Sequence, residues 1–187
     1  MSKKNRDIDI DVDLEEVEGG YEPIKVGTYL FRLDELLRKQ KKDKSGDYIN
    51  VKAIAMDVKD ESIEKSIGAV HYEIFSLNPK ALWKLKVLVK CFVAEPKGTK
   101  IPVSEMIGKT FVADVFEDTY DGTTNLKMRK IKSAAGWEGF NCTVDEELNV
   151  QYAEGVETLD DKLEARKEAQ KKAFSDDPLG DDDEVEI

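Results

Sequence analysis

Between residues 25 and 132 the apolar residues change period in an order that few architectures accept. In 25–39, Tyr29, Phe31 and Leu33 fall on one parity and Thr28, Leu30 and Arg32 on the other. Ile49, Val51, Ala53 and Ala55 repeat this in 48–58, opposite Tyr48, Asn50 and Lys52. In 69–77, Val70, Tyr72 and Ile74 alternate with His71, Glu73 and Phe75. A period of two marks a strand, because successive side chains point to opposite faces. Over 78–93 the period turns helical, with Leu82, Leu85, Leu88, Val89 and Phe92 as the apolar stripe. Asn78 is the expected cap and Pro79 suits the first helical position. Trp83 is read as packing beside this stripe, as aromatics on helices usually do. A short helical turn capped by Ser104 follows, then strands at 110–118 and 124–132 around Asp121-Gly122, a two-residue hairpin signal.

Three strands, one helix and a hairpin predict a mainly β chain. The expected form is a five-stranded OB-fold barrel with the helix between strands three and four, since a β-sandwich would lack that central helix. Charge divides the chain further. Residues 1–20 carry a net −4, residues 21–137 a net +5 and residues 138–187 a net −12, which together give −11. The acidity therefore belongs to the ends. The expected organisation is an acidic arm (1–20), the barrel domain (21–137), an extension with a helix over 156–174 capped by Thr158 (138–175), and a disordered acidic tail (176–187). From Asp176 onward there are 7 acidic side chains and no basic one.

Catalytic readings find little to work with. The single imidazole, His71, is expected at or near the surface and lacks an evident nucleophile partner. No Cys or His spacing suits zinc, and no glycine-rich loop suits a phosphate. Asp7, Asp9, Asp11 and Glu18 match calcium-loop positions, but Val12 stands where that loop needs glycine. No cofactor, metal or enzymatic activity is expected. Cys91 and Cys142 do not form a disulfide framework, no run is apolar enough for a membrane, and the first residues carry no secretory signal. The expected setting is the cytoplasm.

Binding is the better reading. A single strand needs cations along its phosphates and aromatic faces under its bases. Arg32 and Lys39, Lys41, Lys42 and Lys44 supply cations from strand one and its loop, beside Tyr48 and Lys52 on strand two. Tyr72 or Phe75 must face outward on strand three. Lys127, Arg129, Lys130 and Lys132 add strand-five cations, with Trp137 just beyond. In the tail, Asp181, Asp182, Asp183, Glu184, Val185, Glu186 and Ile187 form an acidic run ending in an aliphatic residue, suited to a basic partner with an apolar socket. The rival readings are an interaction scaffold whose basic face meets an acidic protein, or a DNA mimic acting through its acidic ends.

The strand order, YINVK after KSGD, the segment ALWKLKVLVKCF and IGKTF resemble phage-encoded single-stranded DNA-binding proteins over about 21–137, and DDDEVEI is similar to the acidic tips of bacterial and phage members. The resemblance implies sequence-independent coating and protection of exposed DNA during replication or recombination, often as an oligomer. It also implies recruitment of replication or recombination proteins by the tip, in the host cytoplasm for a phage protein. The bacterial tip ends in an aromatic after proline. Here Ile187 takes that place, which leaves the partner open.

Overall fold

The structure is a computed structural model and describes residues 23–42, 46–94, 98 and 100–175. The acidic arm, Lys44 and the acidic tail lie outside the described residues.

The strands follow the alternating segments closely. They are β1 (Gly27–Gln40), β2 (Asp47–Val58), β3 (Val70–Ser76), β4 (Thr110–Tyr120) and β5 (Thr123–Ser133), and the helices between β3 and β4 are α1 (Leu82–Lys90) and α2 (Val103–Met106). The five strands form one antiparallel sheet in the order β3-β2-β1-β4-β5. Asp121 and Gly122 both take positive φ (50° and 73°), as the two-residue turn between β4 and β5 requires. Ser104 lies inside the turn of α2 rather than capping it, since Pro102 holds the cap position. Asn78 Oδ1 accepts from the Lys80 amide at 3.0 Å, one turn ahead of α1.

Tyr29, Phe31, Leu33, Val51, Ala53, Phe75, Phe111 and Met128 meet in the main core, and α1 closes it with Leu85, Leu88 and Val89. Phe31 packs against Phe111 with ring centroids 5.6 Å apart. Phe75 is 1% exposed, so Tyr72 is the one of the two candidate aromatics on β3 that faces outward, and Phe75 is a core residue rather than a site residue.

No ladder joins β3 to β5 among the described residues. Between them lies Glu73, 4% exposed, whose Oε2 accepts from the Met128 amide at 2.7 Å. Its Oε1 meets Lys84 of α1 at 2.6 Å, and His71 Nε2 lies 3.3 Å from Oε2. Burial alone would push this carboxyl up, but the hydrogen bonds from His71, Lys84 and Met128 outweigh it and hold it below the ordinary value. His71 is therefore buried, contrary to expectation, because Glu73 gives its ring a polar neighbour inside the core.

Residues beyond β5 build a second layer. β6 (Trp137–Glu138), β7 (Cys142–Val144) and β8 (Val150–Tyr152) form a small antiparallel sheet, and α3 spans Leu159–Ser175. Trp137, Cys142, Val144 and Leu159 pack against Leu30, Ile54, Met56 and Val112 on the outer side of β1, β2 and β4. Trp137 is thus a core residue and not a surface platform. Its indole N–H donates to Asp57 at 3.1 Å, beneath the layer it helps to build. Thr158 caps α3 as expected: its Oγ accepts from the Asp161 amide at 3.2 Å while Asp161 Oδ2 accepts from the Thr158 amide at 3.1 Å.

Candidate nucleic-acid interface

The second layer covers the outer face only where Leu30, Ile54, Met56 and Val112 lie on β1, β2 and β4, and it leaves β3 and the hairpin ends of β1 and β2 uncovered. Cross-strand partners share a face, so the register places the side chains there. Lys39 lies opposite Tyr48, and Tyr48 opposite Ser76; Leu37 faces Asn50, and Asn50 faces Ile74. Glu35 pairs with Lys52, and Lys52 with Tyr72. The last row runs Arg32, Ile54, Val70. Tyr72 and Ile74 are 57% and 61% exposed, and Val70 and Leu37 are exposed beside them. Three apolar side chains therefore stand in solvent on β3 while the residues alternating with them, two of them ionisable, are buried. Soluble proteins expose few contiguous apolar clusters of this kind.

The cations around it divide into two sets. Lys52 is held by Asp34 at 2.6 Å, a hydrogen bond that raises its pKa. Arg32 meets Asp160 of α3 at 2.7 Å, and Arg38 pairs with Asp47. On β5, Lys127 pairs with Asp118, while Lys130 lies 3.0 Å and Arg129 4.0 Å from Asp114. Arg129 also sits 4.9 Å from the centre of the Phe116 ring. Burial would raise Asp114, yet the Thr28 hydroxyl and these two cations hold it low. Lys39, Lys41 and Lys42 at the β1–β2 hairpin, and Lys132 on β5, are exposed and have no ion pair among the described residues.

The expected site residues are thus only partly gathered. Lys39, Tyr48, Lys52 and Tyr72 share adjoining rows on one face. The β5 set lies across the gap that Glu73 bridges. Because Glu73 and Met128 point inward, their neighbours Tyr72, Ile74, Lys127 and Arg129 flank that gap on the outer surface. A bulge between Val112 and Asp114, with Lys130 at φ 50°, turns Arg129 and Lys130 outward together. Ile74, Val70 and Leu37 were not singled out in the sequence. The signal was available: Val70, Tyr72 and Ile74 share a parity, so burying Phe75 exposes all three. Trp83, expected in the core, is 67% exposed on α1.

Cys91 is buried, which pushes its thiol up to about 11, and Cys142 is driven higher by burial and then by Asp57. Neither is a nucleophile at neutral pH. Among the described residues, no group of three or more His, Cys, Asp or Glu could hold a metal, and no helix is long and apolar enough to cross a membrane. The chain matches no family model and no curated protein.

Proposed function

We propose that the chain is an OB-type protein that binds single-stranded DNA without sequence preference on the outer face of β1, β2 and β3, and that its acidic tail recruits replication or recombination proteins. The observation that carries this is the exposed Tyr72–Ile74 surface beside Lys39, Lys41 and Lys42 of the hairpin, which have no ion pair among the described residues. Aromatic and aliphatic faces accept any base, and lysines contact phosphates without reading sequence. The strand order supports the barrel reading. A sheet ordered β3-β2-β1-β4-β5 becomes a closed five-stranded barrel when β3 meets β5, and Glu73 already hydrogen-bonds across that gap. The helix between strands three and four packs on β3 and on β5, the two strands that border the gap.

The test is fluorescence anisotropy of a labelled, unstructured oligonucleotide at low salt. Tyr72→Ala is expected to weaken binding by about 1–3 kcal/mol, roughly 5- to 150-fold, for the loss of one stacking platform. A wild-type chain that leaves the anisotropy unchanged at low salt would sink the proposal. Trp137 should not report binding, since it lies beneath the second layer.

A further inference from the structure

The exposed side of α1 presents an apolar, cation-rimmed surface that the DNA-binding reading leaves unused. Trp83, Val87 and Cys91 lie at four-residue intervals on this helix and so follow one line along its face. Trp83 and Val87 are exposed. Val87, Lys90, Cys91, Ile131, Lys132 and Ser133 line a groove of about 200 Å³ between α1 and β5. Lys90 and Lys132 line it, Lys86 precedes Lys90 by one helical turn on α1, none of the three has an ion pair among the described residues, and α1 contains no acidic residue. Aliphatic side chains fit such a floor, and carboxylates fit such a rim.

The chain carries a segment with that pattern, Asp7-Ile8-Asp9-Ile10-Asp11-Val12-Asp13-Leu14. We infer that this acidic, alternating segment docks in extended form along α1 of its own chain, with its aliphatic side over Trp83, Val87 and the groove. The spacings agree. Alternate residues of an extended chain are about 6.7 Å apart, and residues four apart on a helix rise about 6 Å. Ile8, Ile10 and Val12 can therefore follow the line Trp83, Val87, Cys91 nearly in step. Charge supports the same pairing: with the aliphatic side down the four Asp side chains point away from the floor, and the long stems of Lys86, Lys90 and Lys132 can extend up past the segment to meet them. Nine residue steps separate Leu14 from Pro23, enough to span about 30 Å, roughly the width of a domain of this size. The C-terminal tail fits less well, since Val185 and Ile187 are its only aliphatic pair at this spacing.

Acrylamide quenching of tryptophan emission in the full chain, without nucleic acid, tests this independently of DNA binding. Trp137 is buried and gives a constant background, so any change reports Trp83. Neutralising the arm with Asp7→Asn, Asp9→Asn, Asp11→Asn and Asp13→Asn is expected to raise the quenching constant about twofold, because a docked segment excludes solvent from the indole. Lys86→Glu with Lys90→Glu should do the same. Adding Asp9→Lys and Asp11→Lys to that pair should restore the shielding, which a folding defect could not do. Equal quenching in the wild type and the arm variant would overturn the inference. So would exposure of Trp83 on neutralising only residues 181–186, which assigns the groove to the tail. Loss of shielding on dilution would assign it to a second copy, and shielding that needs an oligonucleotide would assign it to nucleic acid. Either result overturns the inference.

Discussion

Asp57, at the C-terminal end of β2, is fully buried, and both of its oxygens are engaged. Oδ1 accepts from the Asn141 amide at 2.9 Å; Oδ2 accepts from Trp137 Nε1 and the Cys142 amide, both at 3.1 Å, and from the Cys142 thiol at 3.3 Å. One carboxylate thus ties the second layer to the sheet. A Cβ at Gly139 would collide with Asp57 and with the Trp137 indole, so glycine is what lets the chain pass this close. Asp57→Asn keeps the volume but turns an amide donor toward these donors. Urea unfolding should show it destabilised by about 3 kcal/mol, the cost of a buried donor left without its acceptor. A loss within experimental error would mean that the second layer does not depend on this residue. This role was not legible in the sequence, because an Asp at the end of a strand is usually solvated.

At the level of elements, the β1–β2 hairpin and the β4–β5 hairpin look alike in sequence, since both carry several cations. They differ in their partners. β4 supplies Asp114 and Asp118 against β5, so Lys127, Arg129 and Lys130 are already neutralised by their neighbour strand. The first hairpin pairs Arg38 with Asp47 but leaves Lys39, Lys41 and Lys42 unpaired among the described residues. Phosphate contacts should therefore concentrate at the first hairpin. Replacing Lys39, Lys41 and Lys42 with Ala is expected to reduce the slope of log affinity against log salt by about 2, at about 0.7 for each lost contact on a single strand. The matching triple substitution of Lys127, Arg129 and Lys130 should change it less. If the β5 variant gives the larger change, the strand path has been placed on the wrong side of the sheet. Arg32 belongs with the neutralised set, because α3 brings Asp160 to it from 128 residues away.

For the molecule as a whole, β3, β5 and α1 depend on one ionised side chain, Glu73. Its carboxyl is held below the ordinary value of 4.5, so its contribution is complete above about that pH and is lost as pH falls through the lower folded value. Glu73→Gln should be less stable at neutral pH and lose less stability below 4.5, read as unfolding midpoints across an acid series. Equal acid sensitivity in the two proteins would show that the exposed carboxylates dominate instead. The strands, the helix and the turn between β4 and β5 were legible in the sequence because they rest on local causes: side-chain period, a two-residue turn and a helical stripe. Which parity of β3 faces water was not, because it depends on Glu73 finding Lys84, His71 and the Met128 amide inside the fold. Nor were the burial of Trp137 and the exposure of Trp83, which depend on whether a distant layer covers each indole. By itself the sequence determined the order of the elements and the acidic character of both ends. The tertiary structure decided which cations remain unpaired and which apolar side chains meet solvent, since each depends on contacts between residues far apart in the chain.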